Sequence, residues 1–200
     1  MTTAKDLFIM ALDPQSQSPV GQGDLSLALA AAELSDLVGE QAVVLDGESI
    51  VPGGPSALDD PLLDQASSAL VRDVPYERVE DWLWRRGRDL SRAYQTALEE
   101  DGQLAPARRG RLSFGAERLE VVDSPARRRA RSRWEADEPV LAALATVLGM
   151  RGARSEGEPA PDDEAVQTVL ASVNDAVMEL EAVRQKRSIE KAAFSNIWRG

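Results

Sequence analysis

The feature that most constrains the fold is an apolar stripe near the C-terminal end, made of Val166, Val169, Leu170, Val173, Ala176, Val177, Leu180 and Val183. Residues three and four apart share one face of an α-helix, so this segment has to be a helix that hides one side. Asp162 or Asp163 is available to cap it. The stripe suits either a core seam or a coiled coil with a partner helix. It lasts only a few heptads before the basic stretch Arg184–Lys191, which favours the core seam. The tail Phe194-Ser195-Asn196-Ile197-Trp198 is free to pack back onto the core. A second stripe, Leu27, Ala30, Ala31, Leu34, Leu37 and Val38, predicts another core helix, with Asp24 as cap and Gly39 as stop.

The remaining segments alternate helix with breaks. Leu7–Leu12 is an apolar block ended by Asp13-Pro14 and reads as a buried helical turn or two. Ala42–Leu45 and Ser49–Val51 flank Asp46-Gly47, the best hairpin signal in the chain. A helix is expected at about Pro61–Val71, and after Pro75 a helical stretch from Glu77 to Glu100, kinked near Gly87 and closed by Gly102. From Arg111 to Val122 the period shortens, with Leu112, Phe114, Leu119 and Val121 around Gly115-Ala116-Glu117, and predicts a second hairpin. Helix returns after Pro125, and Pro139 opens an apolar helix that ends at Gly149. The acidic, Gly/Pro-rich run Arg151–Asp163 reads as a mobile linker. The expectation is a mainly α, single-domain helical bundle over residues 1–200 with one or two small β-hairpins, because this length supports one good core.

The side chains exclude much chemistry. The chain has no His and no Cys, so imidazole bases, thiolate nucleophiles, disulfides and the usual zinc sites are absent. Asp59-Asp60-Pro61-Leu62-Leu63-Asp64 superficially resembles an aspartate-rich magnesium motif, but Asp60 directly before Pro61 is explained by helix capping. Gly21-Gln22-Gly23 lacks the preceding strand of a dinucleotide fingerprint, and no Lys follows to make a phosphate loop. A binding protein is therefore expected rather than an enzyme, with no cofactor and no metal. The absence of Cys and of a basic-then-apolar leader suggests the cytoplasm, with membrane contact only peripheral, on the inner face. Arg far outnumbers Lys and Ala is abundant, usage that fits a high-GC bacterial gene.

Charge is unevenly distributed. The formal net charge is -11, yet Arg85 to Arg133 holds 13 Arg against 7 acids, a local +6 that leaves -17 on the rest. A local field of this kind can recruit an anion that the global charge disfavours, whereas nucleic acid, a long polyanion, is not expected. Arg85, Arg86, Arg88 and Arg92 admit two readings: contact with anionic headgroups, or ordinary pairing with Asp81, Asp89 and Glu99. Arg127 to Arg133 could likewise meet an anionic leaflet. Of Trp82 and Trp84, the first is expected in the core and the second over its edge.

Several segments, read in order, resemble the Golgi phosphoprotein 3 family and its bacterial relatives. These are Asp6–Asp13, Ala32-Glu33-Leu34-Ser35-Asp36-Leu37, Asp60-Pro61-Leu62-Leu63-Asp64-Gln65-Ala66, Val79-Glu80-Asp81-Trp82-Leu83, the basic helix through Arg88 and Leu98 to Gly102, and Leu112-Ser113-Phe114 leading to Val122 and Pro125. The resemblance implies a helical core with a protruding hairpin and, as in the eukaryotic members, binding of phosphatidylinositol 4-phosphate on a membrane surface. It also implies a headgroup site with an aromatic before the second helix, an Arg within it, and two Arg one turn apart on the basic helix. Here Gly21-Gln22-Gly23 holds no aromatic, the helix near Ala30 holds no Arg, Arg88 matches, and Ser91 stands at the second Arg position with Arg92 beside it. The residues expected to meet the headgroup are thus Arg85, Arg88, Arg92 and Arg127, with Leu112 and Phe114 as the membrane-contact hairpin. The partner would be an anionic phospholipid or phosphoinositide surface. The alternative is a cytoplasmic adaptor that holds a protein partner on the same scaffold.

Overall fold

Helix α2 (Gln22–Gly39) is the axis of the molecule, with every residue from Leu25 to Ser35 buried, and Leu37 as well. A helix apolar on all sides has to be surrounded. The structure, a computed structural model, describes residues 2–13, 20–54, 58–106, 119–150 and 161–197, the last stretch by its backbone alone beyond 191. Around α2 pack α1 (Thr3–Leu12), α3 (Pro61–Ser68), α4 (Val79–Arg86), α5 (Leu90–Glu100), α7 (Pro139–Val147) and α8 (Glu164–Ile197), while α6 (Pro125–Glu135) lies against α1. Two antiparallel hairpins complete the single domain: β1 (Val43–Asp46) with β2 (Ser49–Pro52), and β3 (Leu104–Pro106) with β4 (Leu119–Val121). The architecture is mainly α with two small hairpins, as the sequence predicts.

Local signals explain most boundaries. Asp60 accepts hydrogen bonds from the Leu62 and Leu63 N–H groups ahead of Pro61, so it is the cap of α3, and its other oxygen meets Lys5 Nζ at 2.8 Å. Asp163 caps α8 through the N–H groups of Ala165 and Val166. The buried seam of α8 is Val166, Val169, Val173 and Ala176, with Val177 and Leu180 half-buried against the core. The first hairpin pairs Asp46 with Ser49, and Gly47 takes the left-handed φ of 57° that its tight turn needs.

Three expectations are corrected. Asp24 does not cap α2, which starts two residues earlier at Gln22 with no side-chain cap; Asp24 binds Arg184 instead. The stretch Glu77–Glu100 is two helices rather than one kinked helix, parted at Gly87 to Asp89, where Asp89 adopts a left-handed φ of 56°. The second hairpin begins at Leu104, upstream of Arg111. Leu112 and Phe114 lie outside the described residues, as do most of the expected linker Arg151–Asp163 and the side chains of the tail from Phe194 to Trp198.

A single carboxylate occupies the fully buried stretch of α2. Glu33 is 0% exposed and accepts from Arg86 Nε at 2.7 Å, Arg86 Nη2 at 2.9 Å and the Tyr94 hydroxyl at 3.0 Å. Burial raises the Glu33 pKa, and the Arg86 and Tyr94 hydrogen bonds oppose that shift. The Tyr94 hydroxyl, buried beside that carboxylate, is pushed well above its ordinary range and stays a donor. One turn on, Asp36 accepts from the Thr3 N–H at 2.8 Å, tying α2 to the start of α1. Burial outweighs that bond and raises its pKa from 3.8 to about 6.

Arg86→Ala should lower stability by about 3–5 kcal/mol, because it strands a buried carboxylate, and the double replacement E33L/R86M should recover most of the loss. Urea denaturation of the two variants checks this. Asp36 sets a pH slope as well. The folded chain retains that proton up to about pH 6 while the unfolded chain releases it near 3.8. The folded state therefore binds more protons across that window, and stability falls as pH rises through it. Unfolding midpoints measured from pH 4 to 7 should show a shallower fall in Asp36→Asn than in the parent.

Candidate functional site

The Arg-rich helix α6 is already neutralised. Each of its five Arg meets an acid: Arg127 with Asp13 at 3.3 Å, Arg128 with Asp123 at 2.9 Å, Arg129 with Asp6, Arg131 with Glu135 at 3.2 Å, and Arg133 with both Asp6 at 2.6 Å and Glu138 at 2.9 Å. Asp6 is fully buried between Arg129 and Arg133. Arg127 also donates to the Val121 carbonyl at 3.2 Å. These bonds dock α6 on α1 and on the end of β4. Taking two partners from α1 and the residue after it, they turn the local positive count into a structural joint.

The basic stretch of α4 and α5 divides differently. Arg85 is clamped bidentately by Glu77 at 2.6 and 2.7 Å, donates to the Ala69 carbonyl at 3.1 Å, and lies 5.3 Å from the centre of the Trp82 ring. The Glu77 carboxylate holds the Arg85 guanidinium above its ordinary range. Arg86 is committed to Glu33. Arg88 and Arg92, by contrast, are exposed and form no ion pair among the described residues. The expected partners Asp81, Asp89 and Glu99 bind none of these four Arg.

Arg88 and Arg92 border a cleft of about 510 Å³ between the start of α2, the α4–α5 junction and α8. Gln22, Gly23, Ser26 and Leu27 come from α2, Trp84 from α4, and Leu180 from α8. Ser91 and Asp89 complete the lining, and Arg92 also edges a neighbouring groove along α5. Of the predicted site residues, the structure brings Arg88 and Arg92 together, and leaves Arg85 and Arg127 elsewhere with partners of their own.

The cleft follows from the break between α4 and α5. A Cβ at Gly87 would lie 2.5 Å from the Leu83 carbonyl oxygen of α4 itself and 3.3 Å from that of Ser26 on α2, so Gly suits the close turn that ends α4 against α2. Ser26 Oγ then accepts from the Ser91 N–H at 3.0 Å, satisfying one of the donors that the uncapped start of α5 leaves free. Arg88 lies in the turn between α4 and α5 and Arg92 in the first turn of α5, and both border the cleft. On the opposite wall, a Cβ at Gly23 would meet Leu180 Cδ2 and Arg184 Nη2 at 2.9 Å each. Gly21-Gln22-Gly23 thus serves close passage of α8 over the start of α2, held by Arg184 on Asp24 at 2.6 Å.

Trp82 is fully buried and its indole N–H donates to the Ala30 carbonyl at 3.2 Å, as expected of a core residue, whereas Trp84 is 36% exposed. Sequence reasoning missed Trp84, Ser91, Gln22 and Leu180 as cleft residues. The family resemblance points to the positions of Gln22 and Ser91 as headgroup positions that lack the expected side chains, and the edge position of Trp84 is also legible, whereas Leu180 carries no signal. Among the described residues no group of three or more acids could hold a metal ion, and no helix is long and apolar enough to cross a membrane.

A family model described as Golgi phosphoprotein 3 (GPP34) matches residues 4–189. No curated protein matches the chain. The matched span takes in α1, both hairpins, the whole cleft and all of α8 but its last turns, and the chain belongs to the Golgi phosphoprotein 3 family.

Proposed function

We propose that this protein is a peripheral membrane lipid-binding protein that seats an anionic headgroup, phosphatidylinositol 4-phosphate by family resemblance, in the cleft bordered by Arg88 and Arg92. The observation that carries the reading is the contrast among guanidinium groups. Arg85, Arg86 and all five Arg of α6 are bound to carboxylates, while the two at the cleft have none among the described residues. A pair of uncommitted guanidinium groups at the mouth of a concave site suits phosphate oxygens, which accept paired N–H donors. The first two residues of α2, Gln22 and Gly23, line the same cleft, and helix starts favour anions. The family match supports the same direction. Arg85 and Arg127, expected at the site from sequence, act in the fold through Glu77 and Asp13. Leu112 and Phe114 remain the apolar contact in this reading, carried by the sequence alone.

Binding follows without a chemical step. The headgroup phosphate meets Arg88 and Arg92, and the protein is held at the surface while its acidic remainder faces water. The role is one of binding rather than conversion, in keeping with a chain that has neither His nor Cys.

Co-sedimentation with phosphatidylcholine vesicles carrying phosphatidylinositol 4-phosphate tests this. Wild-type protein should pellet at low salt and less so at physiological salt. R88A and R92A should each weaken binding about tenfold or more, with thermal midpoints close to the parent because neither side chain is buried or paired. R127A should instead lower the midpoint. No recovery at either salt rejects the lipid reading and leaves the protein adaptor.

A further inference from the structure

We infer that Trp84 is the specificity-determining residue of the cleft, giving preference to a phosphorylated headgroup that contains a hydroxylated ring over an acyclic anionic one. The inference rests on the headgroup reading above and concerns what charge alone leaves undecided. Guanidinium groups recognise phosphate, which every anionic phospholipid offers, so Arg88 and Arg92 cannot by themselves distinguish one headgroup from another. Discrimination has to come from the groups that face the rest of the ligand.

Trp84 is such a group. Two residues earlier, Trp82 spends its ring on the core and its N–H on the Ala30 carbonyl. Trp84 spends neither: it lines the cleft beside Arg88, is 36% exposed, and its indole N–H has no hydrogen-bond partner among the described residues. A rigid ring with a polar handle, set in a concave site, suits ligands that are apolar on one face and polar at the edge. The C–H face of a polyol ring fits that description. Its hydroxyls would find partners in the same cleft. The Gln22 side chain lines it, and so does Ser91, which is 9% exposed and whose hydroxyl is likewise without a partner among the described residues. Leu27 and Leu180 supply the rest of the apolar lining. An acyclic serine or glycerol headgroup offers phosphate and a charge but no ring to lay on the indole.

The test uses the full chain and two vesicle sets matched in surface charge, phosphatidylcholine with phosphatidylinositol 4-phosphate and phosphatidylcholine with phosphatidylserine. Wild type should favour the first. W84A should lose about threefold to tenfold on the inositol lipid and little on the serine lipid, with W84F keeping most of the preference because it retains an aromatic face. A soluble headgroup, glycerophosphoinositol 4-phosphate, should shift tryptophan fluorescence in wild type and not in W84F, a readout independent of vesicle binding. A wild type that pellets with neither set overturns the headgroup reading together with this inference. A wild type that pellets equally with both overturns the inference alone. So does an unchanged preference in W84A while R88A has lost binding, or a fluorescence shift that survives in W84F.

Discussion

A carboxylate in the middle of an otherwise uncharged buried stretch governs how the helices of this protein meet. Glu33 cannot reach water, so its charge has to be answered from within, and the answer comes from the last residue of α4 and from the first turns of α5. Drawing Arg86 inward brings the end of α4 down onto α2, and the chain turns there at Gly87, whose missing Cβ avoids the Leu83 carbonyl. The helix cannot run straight on from there, and the turn from Gly87 to Asp89 carries Arg88 out to the surface while α5 restarts with Ser91 against Ser26. The buried ion pair and the exposed guanidinium groups are thus two sides of one local geometry. The cleft is the space left where α4 ends early and α5 sets off again, with α8 closing the far wall through Leu180.

Positive charge along the chain is a poor guide to positive charge on the surface. The stretch from Arg85 to Arg133 is strongly basic in sequence, yet α6 gives its guanidinium groups to carboxylates that include Asp6 and Asp13, more than a hundred residues away. Buried Asp6 in particular would be untenable alone, and Arg129 and Arg133 make it part of the α1–α6 joint. Among the described residues from Arg85 to Arg133, the cations that form no ion pair are Arg88 and Arg92, at one junction.

Much of the fold is legible because it rests on local rules. The stripes of α2 and α8, the caps at Asp60 and Asp163, the Asp46-Gly47 turn and the burial of Trp82 follow from periodicity and short-range hydrogen bonding. The features that escape are those decided at long range. Asp24 has the right chemistry for a cap but finds Arg184, 160 residues on, and Gly21-Gln22-Gly23 has the look of a loop signal while its use is steric, set by how near α8 passes. The break in Glu77–Glu100 is visible at Gly87 only as a kink, because the pull of Glu33 on Arg86 is not written into the neighbouring residues. The cleft itself joins residues near positions 22, 88 and 180, a juxtaposition no periodicity encodes. Arg88 was readable from family resemblance; Trp84 as a cleft residue was not.

Helix α8 changes character along its length. Burial ends near Leu180, and every residue from Glu181 to Lys191 is exposed although the backbone stays helical to Ile197. Past the Arg184 contact with Asp24, that outer stretch is held by intrinsic propensity and by neighbours on its own turns, such as Gln185 on Glu181 at 3.3 Å. A helix of such length is marginal in water when nothing packs on it. The amide hydrogens of Glu181 to Lys191 should exchange at a smaller free energy than those of the buried seam. On burial alone, one continuous helix divides in two: an inner part tied to the global transition, and a stretch from Glu181 to Lys191 with little tertiary packing to couple it to the body.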